Sequence, residues 1–231
     1  MSVLGNLRLL AESAAKRVAF RTPGLRRLAA PSYRYGLEPA ELAWLVDTLE
    51  ETKELGGAVI EIGVARGMTT VFIKEALTRM ADPRTYICLD TFAGFTDRDV
   101  RHEQTLRGKR GVRFPEFSYN DPKVFARNIA RLGYTGVRCI ASDVAALTEA
   151  DLGPISVAII DVDLYLPTSA ALTLVWTCLQ PGGRVLVDDV KQGTKWDGAL
   201  QALQEFSAET GTAWSPIGTK GGVFLRSAPV S

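Results

Sequence analysis

Two short apolar runs that end in paired aspartates constrain the fold of this chain more than any other feature of its sequence. Residues 157–163 read VAIIDVD, and residues 184–189 read RVLVDD. Apolar runs without alternation are typical of central strands in a parallel sheet that is covered on both faces. The carboxyl ends of parallel strands lie on one edge of the sheet, where the ligands of open α/β proteins bind. The two runs therefore predict an acidic site at that edge.

The acidic site is predicted to contain Asp161, Asp163, Asp188 and Asp189. If the two strands are neighbours, they lie about 4.8 Å apart and bring all four carboxylates into one small volume. Two unit charges about 4 Å apart repel by roughly 4 kcal/mol at an effective dielectric constant of 20. The cluster therefore requires a cation or must retain a proton. The alternative is a structural role, in which these aspartates cap or stabilise the turns that follow the strands.

The length and charge of the chain limit the kinds of molecule that it is expected to bind. A chain of 231 residues with 46% hydrophobic content is long enough to bury the core of one α/β domain. The 27 Lys and Arg residues nearly balance the 26 Asp and Glu residues, which gives no indication of nucleic acid or an anionic membrane. No apolar run approaches the roughly 18 residues of a membrane span. We therefore expect a soluble protein with a small-molecule partner.

Three cysteines, Cys88, Cys139 and Cys178, are an odd number without the spacing of metal ligands. Cys88 and Cys139 fall inside predicted strands. All three are interpreted as buried thiols in a reducing compartment, which predicts a cytoplasmic protein.

Residues 1–36 carry seven Lys or Arg residues and one acid, Glu12. This composition superficially resembles an organellar transit segment. We predict instead an amphipathic helical arm that docks on the domain or on a second subunit. Its expected apolar contacts are Leu4, Leu7, Val18 and Leu25. Pro23 and Pro31 are expected to interrupt it.

Residues 37–231 show strand and helix patterns in alternation, which is typical of a doubly wound α/β domain. The predicted strands are 58–62, 85–89, 137–140, 155–160 and 185–187. The predicted helices are 38–55, 68–79, 121–132, 169–179 and 198–210. We expect a turn at 181–183 and a closing hairpin over 212–226 that turns near Lys220.

Residues 91–120 break this alternation. The segment is charged, is punctuated by Gly94, Gly108 and Gly111, and contains the single histidine, His102. A structureless span of this length is usually functional or disordered, and we predict a lid over the carboxyl edge of the sheet. His102 is a candidate second base or substrate contact, and the alternative is a solvated side chain.

A glycine turn, residues 61–67 with the sequence EIGVARG, stands where the first strand passes into the first helix of the sheet. Gly63 and Gly67 would let the backbone approach a ligand at the positive end of that helix. A dinucleotide fingerprint has glycine where this chain has Glu61. The Glu61 carboxylate would repel a pyrophosphate and attract a cationic sulfonium ligand that carries an amino group. The alternative is a purely structural tight turn.

Polar residues also end the next two strands. Asp90 is placed to accept hydrogen bonds from both hydroxyl groups of a ribose, and Ser142 and Asp143 are placed to meet an adenine edge. Together with the glycine turn, these residues predict a cofactor site that spans three strand ends.

These motifs resemble those of class I S-adenosylmethionine-dependent methyltransferases over about residues 38–226. The shared features are E-x-G-x-x-x-G after the first strand, the acid that ends the second, and the closing hairpin. Within that class, DVDLY at 161–165, VDD at 187–189 and DTFAGF at 90–95 are similar to the macrocin O-methyltransferase family. That family methylates sugar hydroxyls of natural products with magnesium. Its motif commonly has glycine where this chain has Val162.

The resemblance implies a Rossmann-like sheet with six parallel strands and one antiparallel strand, and often a homo-oligomer. It also implies Asp161, Asp188 and Asp189 as magnesium ligands and Asp163 as the general base. The implied reaction is methyl transfer from S-adenosylmethionine to a hydroxyl group of a sugar or glycosylated small molecule. A catechol-type methyltransferase that acts on a phenolic acceptor is the close alternative. Tyr165 and Trp196 could line the acceptor pocket, although Trp196 could equally pack at a helix start.

The expected chemistry explains why carboxylates are needed. A sugar hydroxyl is a poor nucleophile at neutral pH, and chelation by magnesium would lower its pKa and orient it. A nearby carboxylate can then take the proton. Two rival functions are disfavoured: Glu61 argues against a nucleotide-dependent oxidoreductase, and the intact carboxylate cluster argues against a non-catalytic scaffold.

Overall fold

The computed structural model describes residues 3–25 and 32–227, with side chains from residue 10 onward. The chain forms two compact units, Met1–Arg34 and Tyr35–Ser231. The division lies two residues before the boundary expected from the sequence.

The first unit contains helix α1, Val3–Arg21, which is followed by a turn that includes Pro23. A helix was predicted for this arm. Val18 and Leu25, two of its expected apolar contacts, are 59% and 40% exposed. The side chains of Leu4 and Leu7, and Pro31, lie outside the described residues.

The second unit alternates strands and helices, as predicted. Its strands are β1 Ala58–Ile62, β2 Tyr86–Asp90, β3 Val137–Ala141, β4 Ile155–Ile160, β5 Leu179–Val187, β6 Ser215–Ile217 and β7 Gly221–Leu225. Its helices are α2 Pro39–Glu51, α3 Met68–Arg79, α4 Asp97–Thr105, α5 Pro122–Arg131, α6 Glu149–Leu152, α7 Tyr165–Cys178 and α8 Gly198–Thr210. Short 3-10 turns cover Lys53–Leu55 and Val144–Ala146. Among the described residues, no helix is long and apolar enough to cross a membrane.

The seven strands form one sheet in the order β3-β2-β1-β4-β5-β7-β6. Strands β1 to β5 pair in parallel, and β7 is antiparallel to β5 and β6. The sheet therefore has six strands in one direction and one in the other, which confirms the implied topology. The strand order reverses between β1 and β4, and this switch point creates the crevice at the carboxyl edge where ligands bind.

Two apolar cores cover the two faces of the sheet. One joins the sheet to α7 and α8, and the other joins it to α2, α3 and α5. Every residue of β1 and β4 is buried, which confirms that the non-alternating apolar runs form central strands. The rigid centre of the sheet therefore fixes the backbone at the positions where the aspartates begin.

The segment 91–120 contains a helix, so the expectation of a structureless span was wrong. Helix α4 is strongly polar, and its N-cap residue Thr96 accepts a hydrogen bond from the Asp99 backbone. Its buried residues are Asp99 and Glu103. The apolar periodicity by which a helix is recognised in a sequence is missing, because this helix is anchored by buried carboxylates instead.

Three further boundaries differ from the prediction by more than one residue. The helix expected over 38–55 ends at Glu51 and is followed by a separate 3-10 turn. Helix α7 begins at Tyr165 rather than Ser169, because Pro167 is tolerated in a first helical turn. The residues Pro181, Gly182 and Gly183 lie inside strand β5 and not in a turn. Proline and glycine in a strand are typical of an irregularity, and the register between β4 and β5 shifts at Ile155/Val157.

A buried arginine ties α2, β2 and β4 together below the sheet. Arg84 pairs with Asp82 at 2.5 Å, and the two side chains are 5% and 0% exposed. The guanidinium also donates to the Leu49 and Thr52 carbonyls at the end of α2, and to the Ser156 hydroxyl. The C-terminal carbonyls of a helix carry partial negative charge, so a cation stabilises them.

We expect Arg84→Met to lower the free energy of unfolding by about 3 to 5 kcal/mol, because it leaves the Asp82 charge buried without its partner. Urea denaturation measures this change. Arg79→Met is the matched control, because Arg79 pairs with Glu75 on the surface at 78% and 44% exposure. The control should change stability by less than about 1 kcal/mol, and an equal loss in both variants would contradict the assignment.

Candidate active site

The hydrogen-bond register of the sheet aligns the ends of β1, β4 and β5 side by side. The Asp161 backbone N–H donates to the Ile62 carbonyl at 2.8 Å, and the Asp188 N–H donates to the Ile160 carbonyl at 2.9 Å. Asp163 and Asp189 then adopt left-handed backbone conformations, with φ of 61° and 58°. Such conformations cost about 1 to 3 kcal/mol each for residues other than glycine, and they cluster at functional sites.

Three of the four predicted aspartates form one compact group. Carboxylate oxygens of Asp161, Asp163 and Asp189 all lie within 4.8 Å of one another. At that separation each pair of charges repels by about 3 kcal/mol at an effective dielectric constant of 20. Carboxylate oxygens are the ligands that hard divalent cations such as Mg²⁺ prefer. The donor set and its spacing fit one such ion.

Asp188 makes different contacts from the three grouped aspartates. Its Oδ2 accepts a hydrogen bond from the Lys220 ammonium at 2.5 Å, and the same ammonium lies 3.3 Å from Asp189 Oδ1. Asp188 is 2% exposed, and its Oδ1 is buried without a hydrogen-bond partner among the described residues. Sequence reasoning placed Lys220 only in a hairpin turn, because its contact with Asp188 depends on the pairing of β5 with β7.

Glu41, in α2, is a further acid that sequence reasoning did not single out. It is fully buried, and its Oε1 has no hydrogen-bond partner within the described chain. Burial, followed by the charge of Asp188, raises the pKa of Glu41 to about 8. Glu41 therefore retains its proton at neutral pH. That proton supplies a donor between the two carboxyl groups.

The pKa values within the cluster follow from burial and like charge. Burial raises the pKa of Asp161 well above its ordinary range, and the charges of Asp188 and Asp189 raise it further. Burial also raises the pKa of Asp163, together with a hydrogen bond to Asp189 and the charge of Asp161. These carboxyl groups therefore hold protons readily unless a cation neutralises them.

The glycine turn is shaped by what lies next to it. Gly63 has φ of 88° and Gly67 has φ of 81°. A Cβ atom at Gly63 would overlap the Asp161 carbonyl oxygen, and one at Gly67 would approach the Phe125 ring to 2.7 Å. Both glycines are thus required by close packing, and Gly67 is the N-cap of α3. The turn presents the positive end of α3 to the crevice.

Asp90 holds this turn. Its Oδ2 accepts hydrogen bonds from the backbone N–H groups of Val64 and Ala65, at 2.8 and 3.2 Å. Its Oδ1 accepts one from Phe92 at 2.7 Å. The carboxylate lies at the end of β2 as predicted, and it orders the turn from the side of β2.

Glu61 points into the core beneath the turn. It is 2% exposed, and its Oε2 accepts hydrogen bonds from the Thr70 hydroxyl at 2.5 Å and the Tyr86 hydroxyl at 2.6 Å. Burial raises the pKa of Glu61 to about 8. In this structure the carboxyl group links β1, β2 and α3, so it braces the turn from below.

Ser142 and Asp143 follow β3 as predicted. The Ser142 N–H donates to the Asp90 carbonyl at 3.0 Å, which continues the β2–β3 ladder. The Asp143 carboxylate accepts from the Ala145 N–H at 2.9 Å and from Arg98 of α4 at 3.3 Å. The end of β3 is therefore connected to the segment 91–120.

His102 lies in a pocket between α4, α7 and α8. Its ring stacks on that of Tyr165, with centroids 5.0 Å apart and an angle of 6° between the planes. The pocket is open and has a volume of about 420 Å³. It is lined by His102, Leu106, Arg107, Tyr165, Asp197 and Gln201. The structure thus places His102 and Tyr165 beside this pocket, while the three grouped aspartates form a separate cluster.

Trp196 contacts two aromatic residues of the segment 91–120. Its ring centroid lies 5.7 Å from that of Phe95 and 5.8 Å from that of Phe114. The Lys195 ammonium lies 4.3 Å from the centre of the Trp196 ring, which is a favourable cation–π geometry. This supports the packing interpretation of Trp196.

Comparison with known families identifies the chain. The family model described as macrocin O-methyltransferase (TylF) matches residues 40–219, which is most of the second unit. The chain belongs to the macrocin O-methyltransferase family. It is accordingly an S-adenosylmethionine-dependent O-methyltransferase. A search among curated proteins found no match.

Solved structures of methyltransferases share the fold of this methyltransferase. The O-methyltransferase NovP has a TM-score of 0.66 and 21% identity, over 81% of this chain and 80% of that chain. The calicheamicin methyltransferase CalS11 has a TM-score of 0.66 and 18% identity, over 93% and 90%. A second structure, with a TM-score of 0.57 and 19% identity over 80% and 78%, describes CalS11 as TDP-rhamnose 3′-O-methyltransferase. The S-adenosylhomocysteine-bound Podospora anserina PaMTH1 has a TM-score of 0.55 and 14% identity, over 95% and 88%.

Glu103, which the sequence did not reveal, links α4 of this methyltransferase to the aspartate loop. It is 1% exposed. Its Oε1 accepts a hydrogen bond from the Tyr165 N–H at 2.9 Å, and its Oε2 accepts one from Arg107 at 2.9 Å. Leu164, the N-cap of α7, makes no side-chain capping bond. The Glu103 carboxylate therefore caps, from another helix, the α-helix that begins two residues after Asp163.

A second acid continues this network. Asp197 accepts a hydrogen bond from Arg107 at 2.7 Å and lies 2.6 Å from the Lys109 ammonium. Lys109 also donates to the carbonyls of Thr194 and Lys195. The middle of the segment 91–120 is thus anchored to the start of α8 by buried and half-buried ion pairs.

We expect Glu103→Gln to lower the free energy of unfolding by about 1.5 to 3 kcal/mol, since hydrogen bonds to a charged partner contribute about that much. Hydrogen exchange of the Tyr165 amide should become faster, because its acceptor loses its charge. Exchange followed by NMR, together with urea denaturation, measures both effects. Glu75→Gln is the control on an exposed carboxylate, and it should leave the exchange of Tyr165 unchanged. Unaltered Tyr165 exchange in Glu103→Gln would argue against the cap.

Glu61→Gln tests the protonation state of the buried acid. The pKa of Glu61 is raised from 4.5 to about 8 in the folded protein. Its contribution to stability is therefore complete below pH 4.5 and is lost as the pH rises through about 8. We expect the free energy of unfolding to fall less steeply between about pH 5 and pH 8 in Glu61→Gln than in the wild type. Urea denaturation at several pH values measures the slope, with Glu50→Gln on the surface of α2 as the control. Equal slopes in all three proteins would contradict a protonated Glu61.

Proposed function

We propose that the protein transfers the methyl group of S-adenosylmethionine to a hydroxyl group of a sugar or glycosylated small molecule, in a magnesium-dependent reaction. The observation that carries this proposal is the convergence of aspartates at the carboxyl ends of β4 and β5, next to the glycine turn after β1. One edge of the sheet thus brings together carboxylates of the kind that bind divalent cations and a glycine turn at a helix N-terminus, which supports the proposal.

The family and the fold support this class of acceptor. The family model is described as macrocin O-methyltransferase, and a structural neighbour is described as TDP-rhamnose 3′-O-methyltransferase. Both descriptions concern the methylation of oxygen, and the second names a nucleotide-linked sugar. An acceptor that carries adjacent hydroxyl groups suits a carboxylate-bound divalent ion, because two oxygens can coordinate it together.

In the proposed site Asp161, Asp188 and Asp189 would hold magnesium. When bound, the ion supplies Lewis-acid polarisation that lowers the pKa of a coordinated hydroxyl group. Asp161 and Asp189 already lie in the compact group. Asp188 stands next to Asp189 at the end of β5, and its two oxygens face Lys220 and the protonated Glu41. Asp188 would therefore exchange one of these contacts for the ion.

Asp163 would take the proton from the acceptor hydroxyl. It is 8% exposed, and its left-handed backbone directs it into the group formed with Asp161 and Asp189. Burial and the neighbouring carboxylates raise the pKa of Asp163, and the charge of a bound cation would keep this carboxylate ionised, so that it can accept a proton. The Glu103 cap on the helix that follows would keep the Asp163 loop in place.

The cofactor would lie over the ends of β1, β2 and β3. Gly63 and Gly67 allow the tight turn that would present the N-terminal end of α3 to the cofactor, and S-adenosylmethionine supplies the electrophilic methyl group. Asp90 would retain capacity for a ribose hydroxyl in addition to its three backbone donors, since a carboxylate offers about four acceptor sites. Ser142 and Asp143 would meet the adenine. Glu61 would act by bracing the turn.

The segment 91–120 would close over this edge as a lid. Glu103, Arg107 and Lys109 anchor the middle of the segment, so closure would involve the residues before α4 and after Lys109. The contacts of Phe95 and Phe114 with Trp196 would rearrange in this movement. Slower hydrogen exchange in those parts on addition of cofactor and acceptor is the expected sign of closure.

A methyl-transfer assay tests the proposed function. Purified protein is incubated with methyl-labelled S-adenosylmethionine, magnesium, and a panel of nucleotide sugars, glycosides and phenols. Label is expected on a sugar hydroxyl and is expected to be lost in excess EDTA. Preferential methylation of catechols would favour the phenolic alternative, and full activity in EDTA would overturn the magnesium mechanism.

Two aspartate variants separate the proposed roles. We expect Asp161→Ala to abolish magnesium binding and methyl transfer while cofactor binding is retained, because the cofactor would lie over the earlier strands. Asp163→Asn should still bind magnesium, but its turnover should fall by roughly two to four orders of magnitude, the usual contribution of a general base. Calorimetric titration with magnesium and a single-turnover assay at saturating metal measure the two effects. Loss of metal binding in Asp163→Asn with retention in Asp161→Ala would reverse the roles.

A further inference from the structure

Lys220 is a cation supplied by the chain itself to the proposed metal site. Its ammonium donates to Asp188 Oδ2 at 2.5 Å and lies 3.3 Å from Asp189 Oδ1. The Lys220 side chain is 22% exposed, and the Asp188 side chain is 2% exposed. This is a largely desolvated, charge-assisted contact, which is stronger than an ion pair on the surface.

The backbone that carries Lys220 is fixed. The Val190 N–H donates to the Lys220 carbonyl at 2.5 Å. The preceding residue, Thr219, donates through its N–H and its hydroxyl to the two carboxylate oxygens of Glu38, at 2.7 and 2.6 Å. These contacts join the β6–β7 turn to the start of α2 and to the loop after β5. Movement of the ammonium therefore requires only rotation of the flexible four-carbon side chain.

The ammonium and a divalent ion need the same oxygens. A metal ligated by Asp188 and Asp189 would place a second cation against the Lys220 ammonium, and two cations at such short range repel strongly. Asp188 cannot bind the Lys220 ammonium and a divalent ion equally well at the same time, since one of its oxygens accepts from Lys220 and the other faces Glu41.

We propose that Lys220 is a tethered competitor of the divalent ion: its ammonium occupies the Asp188 and Asp189 carboxylates and swings away when the metal binds. This inference rests on the proposed magnesium site. Lys220 stabilises the cluster of like charges, and it lowers the affinity of the site for metal. Metal binding is thereby linked to release of a basic side chain beside the acidic cluster.

Calorimetry with magnesium chloride alone tests the competition. We expect Lys220→Met to bind magnesium about tenfold more tightly than the wild type, because removal of a buried charge-assisted contact of about 1.4 kcal/mol corresponds to that factor. In EDTA the same variant should melt at a lower temperature than the wild type, since the carboxylates lose their counter-ion, and magnesium should raise its melting temperature by more. Lys220→Arg keeps the charge and should remain close to the wild type in both measurements.

Lys191→Met is the matched control. Lys191 is exposed and follows Asp189 by two residues, so its removal changes the local charge equally but leaves the Lys220 contacts intact. Its magnesium affinity should stay within about twofold of the wild type, because exposed charges are screened.

Chemical labelling of the wild-type protein provides a test that does not depend on how well Lys220→Met folds. Acetylation of lysines, read by mass spectrometry, should be slow at Lys220 in EDTA and should accelerate when magnesium is added, with Lys191 unaffected. Magnesium binding with equal affinity in wild type and Lys220→Met, and with unchanged labelling, would overturn the competition and leave the proposed function standing. Failure of both proteins to bind magnesium would overturn the metal site itself.

Discussion

Repulsion among the carboxylates that meet beyond β4 and β5 is the constraint on which the rest of the site depends. The parallel sheet forces the strand ends together, and burial removes the water that would otherwise screen their charges. Two features of the structure reduce this repulsion. Asp188 is bound by the Lys220 ammonium, and Glu41 beside it retains a proton because its pKa is raised to about 8. The charges of Asp161, Asp163 and Asp189 are less completely compensated, so a cation ligated by Asp161 and Asp189 beside Asp163 would lower the electrostatic energy of the cluster most.

The rigidity of this arrangement comes from the sheet and not from the loops. The ladder between the strands continues to Asp161 and Asp188, so the first residue of each acidic pair is positioned by the buried core. The close approach of Gly63 to the Asp161 carbonyl brings the cofactor turn next to the acidic loop. A glycine is needed there because any side chain would displace the Asp161 backbone. The two halves of the proposed site are therefore coupled through one backbone contact.

Much of the fold could be predicted because its signals are local. Strands β1 and β4 and helices α3 and α8 have the bounds expected from their apolar patterns and flanking glycines. Helix α4 could not be predicted in this way. It replaces an apolar face by buried carboxylates, and Glu103 finds its partner Tyr165 at a separation of 62 residues along the chain. A pattern read within one segment contains no information about such a partner.

The same distinction applies to the site. The aspartates could be grouped from the sequence, because the carboxyl ends of neighbouring parallel strands must coincide. The charges that set their chemistry come from elsewhere: Lys220 from a hairpin turn 32 residues beyond Asp188, and Glu41 from a helix before the first strand. Neither belongs to a recognisable motif, and each acts only through the pairing of β5 with β7 or the packing of α2. Two chains with identical aspartate motifs would therefore differ in metal affinity if one carried a neutral residue at the position of Lys220. The motif fixes which atoms can bind a cation, whereas the surrounding charges fix how tightly it is bound.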